Sequence, residues 1–557
     1  MRSRIAPLSP AFLTLLCSLA LVVFYNGQFW GTLLAAMPAR GAGELAFVAS
    51  FGVLLVILFN LFLQAVPATL LKPVLILALV AAAAISHFAG TYGTVIDRHM
   101  IASLLQTDFR EARDLLSTSM ALRLLLLGLL PSLIVWRIPL ARRTWRRASA
   151  VRLGTIVSSV ALLVLILWPG YQDYAFFLRE HRQLGGMVNP ATALIATVKL
   201  AMDEPLAAGP PRQVAGDLAR PAALGGGDKP MVMVLVLGET ARAANFSLNG
   251  YGRDTNPELA ALPVISFSNV RSCGTSTAES VPCMFSHLGR AEYSKRAAAT
   301  AENLLDIAQR AGLAVRWIEN NSGCKGVCER VSTERAAAGA ADVHCPDGEC
   351  PDEVMLHPLQ RLLQETSDDS LIVLHMNGSH GPAYFRRYPE GFKTFSPTCD
   401  TSEIRSCSPQ AVMNTYDNTI VYTDHVLASA ISALQAEAER IDAVMLFVSD
   451  HGESLGESST WLHGLPYAVA PDVQKHVPMI VWSSEGYRLR QGLDYDCLHR
   501  QSDASISHDH LFHSVLGLLG VRTDIYEPRL DFAVQCTATG SASGSLQAAR
   551  RIDDTAW

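Results

Sequence analysis

Residues 231–240 read MVMVLVLGET, and this short stretch decides the fold of the larger part of the chain. From Met231 to Leu237 every side chain is apolar, so both faces of the segment must be buried. A strand covered on both sides marks the centre of an α/β sheet, because the crossover helices of such sheets pack on both faces. The run then ends at Gly238 and delivers Glu239 and Thr240. Ligands of open α/β sheets gather beyond the carboxyl ends of the strands, so that is where chemistry is expected.

The same texture recurs downstream. Apolar runs at Leu313–Ile318, Leu371–Leu374, Ala443–Val448 and Val477–Trp482 alternate with helical patterns at Ala301–Arg310, Val354–Glu365 and Tyr416–Glu437. This alternation predicts an α/β domain built on a largely parallel sheet. Two further runs carry polar groups out of their ends. AVMLFVSDHGES delivers Asp450, His451 and Glu453, and LIVLHMNGSHGP delivers His375 and His380. Asp-His by itself is more often a capped turn than a metal site. With Glu239 at another strand end, carboxylate and imidazole donors without a thiolate point to zinc or manganese. The segment SCGTSTAESVPCMFS adds Thr277 at the start of a helix-compatible stretch, where leading N–H groups suit a phosphate. A threonine hydroxyl is a weak nucleophile unless a cation favours its alkoxide. A helix cap is the plainer role for such a residue.

Upstream the composition changes. Half of the 557 residues are apolar and only 17% are charged, with the apolar excess in the first third. Five stretches are long enough to cross a bilayer: Ala11–Ala36, Leu45–Val66, Leu71–Ala89, Leu122–Trp136 and Leu153–Trp168. The first is read as a retained helix rather than a cleaved signal, since it lacks a small-residue cleavage site and further spans follow. The fourth has Arg123 at its edge, where a long side chain can snorkel. Arg2 and Arg4, Lys72, and the cluster Arg137, Arg142, Arg143, Arg146, Arg147 and Arg152 mark the cytoplasmic side. Everything after about Pro169 is then extracytoplasmic. Thr91–Met120 reads as an outer loop with a short amphipathic helix, and Tyr171–Met202 as an interfacial helix, with an ordinary solvated helix the equal alternative for both. Asp203–Pro230, rich in Pro, Gly and Ala, reads as a linker.

Cysteine placement reaches the same compartment independently. Ten of eleven cysteines lie between Cys273 and Cys536. Eight of them form close pairs: Cys273 with Cys283, Cys324 with Cys328, Cys345 with Cys350, and Cys399 with Cys407. An even set of close pairs suits disulfides in an oxidising compartment, with Cys497 and Cys536 left as a fifth pair distant in sequence. No CxxC occurs, which disfavours a zinc ribbon. A net charge of −6 gives no footprint for nucleic acid.

Six segments carry a resemblance to a known family: GETARAANFSLNGYGRDTNP from Gly238, CGTSTAESVPCMFS from Cys273, NNSGCKGVC from Asn320, NGSHGPAYFRRYP from Asn377, SDHGESLGE from Ser449 and LHGLPYAVAP from Leu462. With them the chain resembles the phosphoethanolamine–lipid A transferases, the group that includes the mobile colistin-resistance enzymes. The resemblance implies a five-helix membrane domain over 1–170, an interfacial helix and linker over 171–230, and an alkaline-phosphatase/sulfatase-like α/β domain in the periplasm over 231–557. It implies that Glu239, Thr277, Asp450 and His451 hold a catalytic zinc ion and that Thr277 accepts phosphoethanolamine. His380 and His463 would bind substrate phosphate or a second zinc and serve proton transfer. Asn321 and Lys325 would contact phosphoethanolamine, with His375 and Glu453 close by. The donor would be phosphatidylethanolamine and the acceptor lipid A of lipopolysaccharide, giving polymyxin resistance; a core sugar or another periplasmic glycan is the alternative acceptor. The enzyme is expected as an inner-membrane monomer among its lipid substrates. The modified Cys or Ser of sulfatases, in C/S-x-P-x-R, has no counterpart around Cys273 or Cys283. His508 and His510, in SHDHLFHS, are assigned to a helix start on the surface.

Overall fold

Apolar runs of two lengths produce two kinds of unit. A computed structural model describes residues 7–37, 42–96, 100–101, 104, 115–141, 144–203, 210–220, 229–337, 345 and 349–537. The chain divides into one unit of Met1–Ile101 with Leu116–Met202 and another of Ala102–Leu115 with Asp203–Trp557.

The first unit is helical. Gly43–Gln64, Leu71–Tyr92, Thr118–Arg137 and Trp145–Tyr174 are each long and apolar enough to cross a membrane. The fifth expected span is broken: Pro10–Tyr25 and Gly27–Ala35 meet at 61° across Asn26. A break at this depth exposes backbone groups that hydrocarbon cannot satisfy, so the protein must supply partners. Asn26 Nδ2 donates to the Leu21 and Asn189 carbonyls, and Asn26 Oδ1 accepts from Asn189 N–H. Asn189 Nδ2 in turn donates to the carbonyls of Tyr25 and Ala82. Small residues let helices approach closely, as where Gly128 lies against Ala83. The fourth span contains a π-helical stretch at Leu124–Leu129. Tyr171–Glu180 continues the fifth span as one helix, Trp145–Glu180, instead of forming a separate interfacial element, and Ala191–Asp203 follows as its own helix. The expected amphipathic helix of the outer loop falls largely outside the described residues, as do Arg2, Arg4, Arg142 and Arg143.

Among the described residues the second unit contains ten strands: β1 Met231–Gly238, β2 Ile265–Arg271, β3 Ala314–Glu319, β4 Ser332–Arg335, β5 Ser370–His375, β6 Asp442–Ser449, β7 Ser454–Leu455, β8 Trp461–Leu462, β9 His476–Ser483 and β10 Ile506–Ser507. Eight form one sheet in the order β10-β2-β9-β6-β1-β5-β3-β4, and β7 pairs with β8. All eight residues of β1 are buried, and β1 runs parallel to both β5 and β6. The sheet is mixed, because β9 runs antiparallel to β6 and β2. After β6 the chain makes the β7/β8 hairpin and comes straight back, without the crossover helix that a parallel return requires. Strand β4 escaped the pattern analysis because its sequence, STER, is polar and lies at the sheet edge.

Within the stretch expected as linker, residues 210–220 run along this unit. Arg212 pairs with Ala301 and Ala219 with Arg522 through backbone bridges, and Ala215 is fully buried in the core. Backbone hydrogen bonds need no apolar side chain, so composition gives no sign of this packing.

Candidate active site

Two strand ends and one helix start bring the four central residues together. Glu239 follows β1, and Asp450 and His451 follow its parallel neighbour β6, joined by Asp450 N–H donating to the Gly238 carbonyl at 3.0 Å. Thr277 is the first residue of the helix Thr277–Met284, and the preceding Ser276 is extended. The chain around it is closed by the disulfide Cys273–Cys283. Crosslinking so short a loop limits the conformations open to Thr277.

Thr277 Oγ1 lies 3.1 and 3.0 Å from the two Glu239 carboxylate oxygens and 3.4 Å from His451 Nε2. His451 Nε2 is 3.2 Å from Glu239 Oε1 and 3.4 Å from Asp450 Oδ2. His451 Nδ1–H donates to the Gly452 carbonyl, which fixes the tautomer and turns Nε2 into the cluster. Asp450 Oδ1 accepts from the backbone N–H groups of Thr240 and His451. Its Oδ2 is buried with no hydrogen-bond partner. Donor atoms of Glu239, Asp450 and His451 all lie within 4.8 Å of one another.

Charge explains the titration of these groups. Burial alone would raise the Glu239 carboxyl, but the hydrogen bond and charge of His451, with His380 and His463 beyond, hold it well below the carboxylate range. Burial and then the Glu239 charge push Asp450 up to about 6. Burial opposes a charged His451, yet Asp450 and Glu239 raise it to about 10. A proton is thus retained among two buried carboxylates, where a divalent cation would satisfy the same charge. One imidazole, two carboxylates and a hydroxyl make a four-donor set without thiolate, and Asp450 Oδ2 is left open within it. The residues present fit zinc.

Around this cluster the expected residues take different places. Asn321 Nδ2 donates to Glu239 Oε2 at 2.9 Å and to the Met376 carbonyl. Lys325 belongs to the same loop, stapled by Cys324–Cys328, but its ammonium donates to Ser322 Oγ and makes no contact with the four central residues. His451, His463 and His380 form a chain of rings, with centroids 4.4 Å apart for the first pair and 5.4 Å for the second. Glu453 Oε2 sits 3.4 Å from His463 Nδ1 and accepts from Tyr384 Oη. His375 is fully buried at the end of β5 with Nδ1 3.0 Å from Glu319. Its Nε2 has no hydrogen-bond partner, and the Glu319 charge, aided by Glu239 and Asp450, raises its pKa against burial. The loop after β5 is held against Glu239. Gly378 has φ 54° there, and a Cβ on it would meet the Glu239 carbonyl oxygen at 2.6 Å.

All five cysteine pairs read from the sequence are joined, including the distant Cys497 and Cys536. Only the bridge from Cys273 to Cys283 encloses a central residue; the others brace loops. Cys345 is bonded to Cys350, whose carbonyl accepts from Asn320 Nδ2 beside the Asn321 loop. Cys399 is bonded to Cys407 in the connection leading to the helix Pro409–Ala436. There Cys399 N–H donates to Thr415 Oγ1 of that helix, and Cys407 N–H donates to the Ile404 carbonyl. Cys350 and Cys407 are thus structural residues of the catalytic unit and not members of its chemical cluster.

Two residues escaped the sequence reading. Glu319, at the end of β3, accepts from His375, Trp317 Nε1 and Asn321 N–H, and so braces two site residues at once. Its place at a strand end was the available signal. His508 does begin a helix, but it is buried rather than on the surface. Its Nδ1 accepts from Cys273 N–H and its Nε2–H donates to the Ser449 carbonyl. It therefore ties the Thr277 loop to the Asp450 loop, a link between distant segments that no local spacing could reveal.

Comparison with known proteins extends this geometry to the whole chain. A family described as Phosphoethanolamine transferase EptA/EptB matches residues 53–204, and the Sulfatase family matches residues 232–521. The phosphoethanolamine transferase EptA of Escherichia coli K12 is 40% identical over 532 residues, 94% of this chain and 97% of its own. The phosphatidylethanolamine transferase Mcr-1 of Escherichia coli is 41% identical over 473 residues, 83% of this chain and 86% of its own. Among solved structures, the integral membrane lipooligosaccharide phosphoethanolamine transferase A of Neisseria meningitidis superposes with a TM-score of 0.92 at 36% identity, covering 96% of this chain and 100% of that one.

Proposed function

Because the chain belongs to the phosphoethanolamine transferase EptA/EptB family, we propose that it moves phosphoethanolamine from phosphatidylethanolamine to lipid A through a covalent adduct on Thr277, and thereby confers polymyxin resistance. The observation that carries this reading is the convergence of Thr277 Oγ1 on Glu239 and His451 beside the open Asp450 oxygen. The protein is a multi-pass inner-membrane enzyme with its catalytic unit in the periplasm, acting as a monomer on two lipid substrates.

Glu239, Thr277, Asp450 and His451 would hold one zinc ion, which when bound supplies Lewis-acid acidification of the Thr277 hydroxyl and charge for the phosphoryl oxygens. Thr277 gives up its hydroxyl proton to solvent as Oγ1 attacks the donor phosphorus, and the bond from phosphorus to the diacylglycerol oxygen breaks. His380 or His463 gives a proton to that departing oxygen. The leading N–H groups of the helix Thr277–Met284 favour the anionic phosphoryl group. Asn321 orients Glu239, and Lys325 of the same loop would contact the phosphoethanolamine. In the second half-reaction an oxygen of the acceptor phosphate attacks the same phosphorus, and Thr277 leaves with its proton restored.

Mass spectrometry of lipid A from cells expressing the protein tests the reading. A mass increase of one phosphoethanolamine is expected, absent with Thr277→Ala. Full modification by a folded Thr277→Ala enzyme would overturn the nucleophile assignment.

A further inference from the structure

Register in the β7/β8 hairpin pairs Ser454 with Leu462 and Leu455 with Trp461. The next positions outward are Glu453 and His463, so these two face each other across the open end of the hairpin. Glu453 Oε2 lies 3.4 Å from His463 Nδ1. The carboxylate is fully buried, whereas the histidine side chain keeps 19% of its surface exposed and so can meet a substrate. Gln474 Nε2 clamps the hairpin from below, donating to Ser454 Oγ and to the Leu462 carbonyl.

A third group stands behind this pair. Tyr384 Oη donates to the same Glu453 oxygen at 3.0 Å. Burial, and then the Glu453 charge, raise the Tyr384 pKa well above its ordinary value, so the hydroxyl stays a donor. The buried ring packs edge-on against Tyr416 of the helix Pro409–Ala436, with centroids 5.5 Å apart. On its other side the backbone at Gly381 comes so close that a Cβ there would meet the Tyr384 hydroxyl at 2.6 Å. Gly381 follows His380, so one tyrosine supports both the Glu453–His463 pair and the His380 loop. A side chain gripped in this way has little rotamer freedom, and the carboxylate bonded to it inherits a fixed place.

We propose that Tyr384 is a positioning residue that acts through Glu453 to hold His463 with Nδ1–H on the carboxylate and Nε2 toward the leaving group, which makes His463 rather than His380 the proton donor of the first half-reaction. The inference rests on the Thr277 reading and deepens it. As the bond from phosphorus to the diacylglycerol oxygen breaks, that oxygen takes the proton of His463 Nε2, and the ring keeps its other proton on Nδ1, facing Glu453. Solvent restores the Nε2 proton before the next turnover. A carboxylate behind an imidazole fixes which nitrogen faces the reaction, and here the tyrosine fixes the carboxylate.

The test uses the full zinc-loaded chain in detergent micelles and reads, by intact-mass spectrometry, the single-turnover rate at which Thr277 gains phosphoethanolamine. Two donors are compared: a short-chain phosphatidylethanolamine, whose alkoxide needs a proton to leave, and para-nitrophenyl phosphoethanolamine, whose phenolate does not. With the lipid donor, Tyr384→Phe should slow the adduct about ten-fold and His463→Gln about 100-fold. With the aryl donor both losses should shrink to about three-fold or less, a selectivity that mere loosening of the site would not produce. The double variant should be no slower than His463→Gln alone, because the two residues act in one chain. His380→Gln should slow both donors alike. Tyr384→Phe removes one oxygen from a ring that keeps its packing, and His463→Gln, at a partly exposed position, provides an independent check. Equal losses with both donors, multiplying losses in the double variant, or a loss confined to the lipid donor in His380→Gln would each overturn the proposal. No adduct from either donor on the unaltered enzyme would overturn the Thr277 reading itself, and this inference with it.

Discussion

Asn26 and Asn189 in the membrane unit, and Glu239, Asp450 and His451 in the catalytic unit, are all almost fully buried, yet the two sets differ in what they leave open. The asparagines are neutral, and apart from Asn189 Oδ1 their amide groups are spent on backbone freed by a broken helix. The cluster proposed to be catalytic is ionisable, its members perturb one another's proton affinity, and Asp450 Oδ2 has no hydrogen-bond partner. A nearly closed neutral network is architecture. An open charged one is expensive unless something completes it, because unpaired polar groups in a low-dielectric interior cost most. The contrast separates residues that hold the fold from residues proposed to do chemistry.

The largest expected effect lies on the chemical side. Thr277→Ala should lower phosphoethanolamine transfer on the order of 10⁴-fold or more while leaving the melting temperature near that of the parent, measured by lipid A mass spectrometry and thermal unfolding. A large loss of stability would place Thr277 with the architectural group instead. Chelation should come next, abolishing activity until zinc is restored. Saturating zinc at about 100 times its dissociation constant should stabilise the chelated protein by about 2.7 kcal/mol, and Asp450→Ala should remove that gain. Zinc stabilisation unchanged in Asp450→Ala would show that the open oxygen is not a ligand.

The architectural side predicts smaller, purely structural losses. Asn189→Leu strands the Tyr25 and Ala82 carbonyls and should destabilise the membrane unit by about 1–3 kcal/mol per unsatisfied group, read as lowered thermal stability in detergent. Zinc affinity should not change.

His508 sharpens the comparison, since it is a titratable group used for architecture. Burial lowers its pKa to about 3, and protonating Nδ1 would break its bond from Cys273 N–H. The unfolded chain takes up this proton near the ordinary histidine value of about 6.5 and the folded chain does not. Its stabilising contribution is therefore complete above about 6.5 and is lost as pH falls from there toward the folded value. Between pH 6.5 and 4.5 this amounts to roughly 2–3 kcal/mol, and His508→Asn should flatten that part of the stability profile. An unchanged slope would assign the acid sensitivity to other groups, such as His513, which burial lowers to about 4.

Much of this was legible in the chain itself, and the reasons can be named. The run before Glu239 could only be a strand buried on both faces, and the runs before Asp450 and His375 repeated the pattern. Their shared ends then predicted the cluster without knowledge of the pairing. The bend at Asn26 was hidden because Asn26-Gly27 sits in an otherwise unbroken apolar stretch, and only its partner Asn189, 163 residues away, makes the break tolerable. The antiparallel β9 was hidden because a buried run reads the same in either direction.

By itself the sequence determined the buried central strands, the side of the membrane and the donor types, since these follow from hydropathy, charge bias and residue chemistry, all local properties. Tertiary structure alone decided that His508 is a buried brace, that Glu319 supports His375 and Asn321, and that Tyr384 reaches Glu453 behind His463. Those facts depend on which distant segments meet, and the free energy of a buried polar group is set by its neighbours rather than by its own kind.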